Sequence, residues 1–163
     1  MYIFLICVKK LKFFKLTLKL TAASPEIMLS KKTQYAFKAL TYLAEQEKDL
    51  PVLIAEISKK KKIPLKFLEN ILLELRKAGM LESKKGKGGG YFLKQDPTKI
   101  PLSKVMRLIE GPIALLPCVS LNFYKKCKDC DEKNCGLNHV MIEVRDNMLQ
   151  ILENKTVADL TGK

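Results

Sequence analysis

The stretch 63–91 constrains the fold of this chain more than any other. It reads I-P-L-K-F-L-E-N-I-L-L-E-L-R-K-A-G-M-L-E-S-K-K-G-K-G-G-G-Y. Leu68, Ile71, Leu72 and Leu75 recur at i, i+3, i+4 and i+7, which draws one apolar stripe along a helix. Pro64 suits the first helical turn, where a missing N–H has no consequence. Gly79 stands where a stop is expected, and Arg76 and Lys77 in the last turn complement the helix dipole. A strand over 80–83, a basic glycine-rich tip over 84–90 and a second strand over 91–94 complete the pattern. An amphipathic helix followed by a hairpin is common in itself. Four glycines in five residues (Gly86, Gly88, Gly89 and Gly90) are more than a tight turn needs, and they let backbone N–H groups approach a phosphate closely. The arrangement therefore predicts a winged helix, with one helix for a major groove and a wing to grip the backbone beside it.

The charge agrees with a polyanionic partner. The chain of 163 residues carries a formal net charge of +13. Residues 1–27 hold five lysines and one glutamate, so +9 belongs to the remainder and the basic character survives without them. Ribosomal contact or an acidic membrane surface would account for the same sign. The length allows one domain, or one domain with an appendage.

Residues 1–27 form an N-terminal extension of a different kind. The apolar run 2–8 is too short to span a membrane, and lysines follow it rather than precede it, the reverse of an export signal. Met28 is read as the true start, with a basic amphipathic arm as the alternative; Cys7 receives no role. From Met28 the pattern is regular. Ser30 is a candidate N-cap for a helix through Ala44. The span 52–60 reads as a second helix held by Leu53 and Ile57. Lys59, Lys60, Lys61 and Lys62 form a block just before the central helix, either a solvated corner or a phosphate grip in which Lys59 and Lys62 take part. Leu102, Val105, Met106 and Ile109 mark another helix, closed by Gly111-Pro112. In the last long segment, Leu137, Met141, Val144, Met148 and Ile151 follow steps of four and three, a short heptad seam read as a dimerisation helix.

Taken together, the residues from Met28 to about Leu160 resemble the IscR/NsrR/CymR (Rrf-two) family of bacterial winged-helix transcription regulators. The landmarks agree in order. Tyr35-Ala36 through Leu43-Ala44 looks like the family's first helix, and Ala55-Glu56-Ile57 with Ile63-Pro64 looks like the opening of its helix-turn-helix. Leu68-Glu69, Ile71-Leu72, Leu75 and Ala78-Gly79 are similar to its recognition helix. Ser83, Lys85-Gly86 and Gly89-Gly90-Tyr91 match its wing, with Lys85 where arginine is usual, and Thr156 to Leu160 fits its close. The resemblance implies a mainly α fold with a small β-wing, a winged helix-turn-helix plus a long C-terminal dimerisation helix. Its parts are a DNA-binding domain over 28–111, a cysteine-rich loop over 112–136, and a dimerisation helix and tail over 137–163. It implies a homodimer, a repressor or activator, on a pseudo-palindromic double-stranded operator. Carried over, Lys66, Glu69 and Asn70 are candidate base readers: Asn pairs with adenine, Lys with guanine, and Glu accepts from cytosine. Glu69 could equally serve its own helix dipole. Lys84, Lys85 and Lys87, with Gly89 and Gly90, would grip phosphates or enter the minor groove. Lysine at 85 lacks the planar fork of arginine.

Four of the five cysteines, Cys118, Cys127, Cys130 and Cys135, fall within 18 residues. Without an export signal ahead of them, metal or redox chemistry is expected rather than a disulfide framework, and the cytoplasm is the expected compartment. Four soft thiolates suit an iron–sulfur cluster (2Fe–2S or 4Fe–4S) and structural zinc alike, and Cys127-x-x-Cys130 could act as a metal-free dithiol. Lys125, Lys126 and Lys128 would offset the negative charge. The resemblance tips the choice toward a cluster sensing iron–sulfur, redox or nitric oxide status, with a zinc-stapled or thiol-based regulator as the alternative. Cluster-binding members place three cysteines in this loop, whereas this chain has four. One family type adds a histidine three residues after the last cysteine, but Asn138 stands there and His139 lies one further on. Other types use the first helix, where this chain offers Gln34 and Lys38. An all-cysteine site is the resulting expectation. A single histidine and no nucleophile–base pairing argue against an enzyme.

Overall fold

In the computed structural model the first helix, α1 (Lys31–Ala44), starts where the Ser30 hydroxyl accepts a hydrogen bond from the Thr33 N–H at 3.2 Å. That bond satisfies one of the four donors a helix start leaves open. The structure describes residues 29–162, so the expected extension 1–27, Cys7 and the start at Met28 lie outside the described residues. The inward face of α1, Ala36, Ala39, Leu40 and Leu43, is buried. Two alanines in that stripe let the neighbouring helices come close.

α2 (Ile54–Lys61) buries Ile57, with Ile54 packed against the same core; Leu53, expected to join it, is 56% exposed. Val52 is the buried residue instead. It forms an antiparallel bridge with Tyr91, each N–H donating to the other's carbonyl at 2.9 Å. Alternation in an extended segment, not helical spacing, decides which of the two neighbours points inward.

α3 (Leu65–Lys77) buries Leu68, Ile71, Leu72 and Leu75, the stripe read from the sequence. Each leucine fully withdrawn from water contributes on the order of 1.5–3 kcal/mol before entropy is counted. The helix ends in a full Schellman arrangement. Gly79, at φ +72, donates to the Arg76 carbonyl, and Met80 donates to that of Leu75, both at 3.0 Å. Met80 and Leu75 are both completely buried, which supplies the usual hydrophobic contact across the cap. Met80 thus belongs to the cap, and β1 (Leu81–Lys84) begins one residue later than expected. β1 pairs antiparallel with β2 (Gly90–Leu93) in the register Leu81↔Leu93 to Lys84↔Gly90.

A 3₁₀ turn at Pro97–Lys99 leads to α4 (Leu102–Ile109), which packs on α1, α3 and α5 (Gly136–Asn154). The closing residues fold back on this connector: Val157, fully buried, donates to the Ile100 carbonyl at 2.9 Å, and Leu102 donates to that of Lys155 at 2.8 Å. Among the described residues, five α-helices and one two-stranded sheet make the mainly α fold with a β-wing that the sequence predicts. No helix among the described residues is long and apolar enough to cross a membrane.

Candidate DNA interface and cysteine loop

Lys66, Glu69 and Asn70 lie exposed on the side of α3 opposite its buried stripe. Lys66 and Asn70 are one turn apart and so share a line along the helix. No side chain caps the α3 N-terminus, where Pro64 stands at the N-cap position. The helix is fixed from both flanks. Lys32 on α1 reaches Glu74 at 2.8 Å, and the Arg76 guanidinium donates to the Ser83 hydroxyl of β1 at 3.0 Å. Phe67, in the same first turn, is 55% exposed and meets Tyr35 edge-on with centroids 6.5 Å apart. Sequence reasoning passed over it; a large aromatic outside the apolar stripe was the available signal.

The wing tip carries Lys84, Lys85 and Lys87, all exposed. Its glycines have reasons inside the chain. Gly86 (φ +91) and Gly88 (φ +75) shape the turn, and the Gly89 N–H donates to the Gly86 carbonyl at 2.9 Å. A Cβ on Gly89 would fall 2.4 Å from the Lys84 carbonyl oxygen, and one on Gly90 2.2 Å from that of Val52. Close packing of backbone on backbone accounts for both residues without a phosphate. The lysine block is divided. Lys59, Lys60 and Lys62 are exposed, Lys62 in a left-handed conformation, whereas Lys61 lies over the Tyr42 ring at 5.2 Å and pairs with Glu45 at 3.4 Å. Glu56 accepts from the Tyr42 hydroxyl at 2.6 Å, and this bond, with burial and the carboxylate charge, pushes that phenol up to about 12.

All four loop cysteines line one cavity of about 320 Å³, together with Pro117, Lys125, Lys126, Leu137 and Asn138. Cys118 sits in a 3₁₀ turn (Pro117–Val119) and Cys135 at the N-cap of α5, so the two outer thiols are carried by ordered elements. Cys127 and Cys130 lie on the loop between. There Glu132 accepts from the Cys127 N–H at 3.0 Å and from the Tyr124 hydroxyl at 2.8 Å. The Cys130 thiol stands within hydrogen-bonding reach of both Cys127 and Cys135, and those contacts push it up to about 12. The Asp129 N–H, followed by the Cys130 thiol, holds Cys127 below the ordinary thiol value.

Among the described residues, no three acidic, histidine or cysteine side chains converge on a point as ligands of one bound ion do. What the four thiols share is the cavity they line. Asn138, 5% exposed, directs its amide at the Cys118 sulfur at 3.5 Å, and Arg145 donates to the Val119 carbonyl at 2.6 Å. Both tie the loop to α5. His139 is exposed beside Asn138; Gln34 bonds the Leu29 carbonyl at 2.8 Å, and the Lys38 ammonium lies 5.9 Å from the centre of the Tyr35 ring. None of the three lines the cavity. At the other end of the loop, Glu110 accepts from Ser30 and Thr33. Burial would push its carboxyl up, but these hydrogen bonds outweigh burial and hold it below the ordinary carboxylate value.

The family model described as Rrf2, iron-dependent transcriptional regulator, matches residues 29–163. The chain belongs to the Rrf2 family. It is 42% identical over 137 residues to an rrf2-like HTH-type transcriptional regulator of Rhodobacter capsulatus, covering 82% of this chain and 91% of that protein. With the HTH-type transcriptional regulator IscR of Yersinia pseudotuberculosis it shares 30% over 135 residues, covering 82% and 79%. The solved structure of CymR, the global cysteine regulator of B. subtilis, superposes with a TM-score of 0.68 at 25% identity, covering 82% of this chain and 95% of that one. The Rrf2 assignment makes this chain a transcriptional regulator that binds DNA, and not an enzyme. The resemblance read from the recognition-helix and wing residues is thereby borne out.

Proposed function

We propose that this Rrf2 regulator is a cytoplasmic homodimer that senses iron–sulfur or redox status through a cluster held by Cys118, Cys127, Cys130 and Cys135. The observation that carries the reading is the single cavity that all four thiols line. The donor set fits: thiolates are the common ligands of such clusters, and Lys125 and Lys126 at the rim offset their charge. A cluster distributes its thiolate ligands over several iron atoms, whereas a structural zinc ion gathers four around one. When bound, it supplies a redox-active, oxidant-sensitive centre whose charge and integrity change with cellular conditions. The chain's own residues do the rest. Asn138 and Arg145 fasten the Cys118 turn to α5, so a change in the loop bears on that helix.

The dimer reading rests on α5. Its inner face, which includes Asn138 and Leu149, is buried within the subunit, whereas Leu137, Val140 and Ile151 are each more than half exposed. Apolar side chains on that outer face call for a second copy. On DNA, Lys66, Glu69 and Asn70 read bases from the exposed side of α3, while Lys59, Lys62, Lys84, Lys85 and Lys87 hold phosphates on either side. The contact between the Cys127 and Cys130 thiols favours one second reading, a metal-free dithiol that closes on oxidation. Absorption of protein purified without oxygen, with iron, sulfide and zinc quantified on the same sample, separates the readings. Iron and sulfide with visible absorption near roughly 400 nm support the cluster. Colourless protein with one zinc per chain, or with no metal at all, removes it and leaves the DNA-binding assignment untouched.

A further inference from the structure

Glu110 is the last residue before the turn into the cysteine loop, and its carboxylate holds the N-terminus of α1. It is the C-cap residue of α4, and Gly111 (φ +103) and Pro112 redirect the chain directly after it. One carboxylate oxygen accepts from the Ser30 N–H at 3.3 Å, from the Ser30 hydroxyl at 2.6 Å and from the Thr33 hydroxyl. Ser30 is the N-cap of α1, and Thr33 is fully buried beside it. Between them in sequence, Lys32 reaches across to Glu74 on α3. Besides the direct packing of α4 on α3, one helix terminus thus links the mouth of the loop to the helix proposed to read DNA. The loop's other attachments described above, Asn138 to Cys118 and Arg145 to the Val119 carbonyl, run to α5 instead. α4 also grips α5, through Arg107 and Glu153 at 3.0 Å.

We propose that Glu110 is the joint through which the state of the cysteine loop reaches the recognition helix, acting as a positioning residue on the N-cap of α1. The proposal rests on the reading of that loop as a sensor. A rearrangement of the loop pulls on Gly111 and Pro112. The carboxylate then carries the α1 cap with it or releases it, and Lys32 passes the displacement to Glu74. Partly exposed hydrogen bonds of this kind are strong enough to bias two arrangements and weak enough to exchange between them.

The test is a double-mutant cycle on the full-length protein, read by its affinity for a duplex that the wild type selects from a random pool. Four proteins are compared: wild type, Cys118→Ala, Glu110→Ala and the double variant. Thermal melts run alongside confirm that each is folded. The expected result is that Cys118→Ala changes affinity about tenfold or more when Glu110 is present, within the usual span of allosteric coupling. In the Glu110→Ala background the same substitution should change affinity less than about twofold, and Glu110→Gln, which keeps one acceptor oxygen, should restore part of the response. A role confined to structure shifts both loop forms by one common factor and leaves their ratio intact; that result overturns the proposal and leaves the sensor standing. If Cys118→Ala has no effect even with Glu110 present, the loop does not act on DNA binding and both readings fall.

Discussion

Gly90→Ala tests whether the wing is held by the close approach of two backbones. A Cβ there would sit 2.2 Å from the Val52 carbonyl oxygen, 2.4 Å from its carbon and 2.9 Å from the Leu53 nitrogen. None of these is the yielding end of a side chain, so the Val52–Tyr91 bridge must open. Its two hydrogen bonds, each 2.9 Å, contribute about 0.5–1.5 kcal/mol apiece. Gly90 also has φ +158, and an alanine forced there adds about 1–3 kcal/mol of backbone strain. The sum is roughly 2–6 kcal/mol, against a total near 5–15 for a domain of ordinary stability. Urea unfolding followed by circular dichroism should therefore show the midpoint falling by about 1–3 M at a slope near 2 kcal/mol per M. Gly86→Ala is the control. Its φ is +91 but no atom lies within 4 Å of the added Cβ, so only about 1–2 kcal/mol is expected. If the two variants lose equal stability, the approach of Val52 is not what requires glycine at 90, and the reasoning is refuted.

Four further outcomes are expected. Asp159 accepts from the Thr156 N–H and hydroxyl and pairs with Lys155, and these contacts lower its pKa from 3.8 to about 2. A depressed carboxylate contributes stability that is complete above its unfolded value and is lost as pH falls toward about 2, so Asp159→Asn should flatten the pH dependence of the melting temperature between those limits. Lys85→Ala should weaken DNA binding evenly across sequences and reduce the salt slope by about one, whereas Lys66→Ala should relax base preference by about 1–3 kcal/mol in competition binding. Val140→Glu, on the outer face of α5, should yield a folded monomer by sedimentation; a stable dimer would place the interface elsewhere.

The elements that the sequence announces are those whose signal is local. The α3 stripe, the Ser30 cap, the Gly79 stop and the length of α1 each depend on residues within one or two turns, and each stands where expected within a residue. Contacts across long separations left no such trace. Val52 rather than Leu53 turns inward because Tyr91, far along the chain, pairs with it. Glu110 reads as an ordinary helix end until α1 is placed against it. The wing glycines were legible as a feature but not as a cause: backbone packing against Val52 and Lys84 explains Gly89 and Gly90 without any ligand. At the cysteine loop, spacing announced four thiols and the structure adds their shared cavity. In the sequence, Asn138 marks only the place of an absent histidine. Its burial against the Cys118 sulfur comes from the folded chain.

The bridge between Val52 and Tyr91 also governs how this protein can respond. It closes a loop of about forty residues that contains α2, α3 and β1, so opening it raises the chain entropy of α3 and of the wing together. Reading head and grip form one cooperative unit, whose amide protons should exchange together and slowly. Melting one part while keeping the other is closed to such a unit as a means of control. If the proposed sensor acts on this unit, the expected response is rigid-body motion, in which the whole head tilts or translates against α4 and α5.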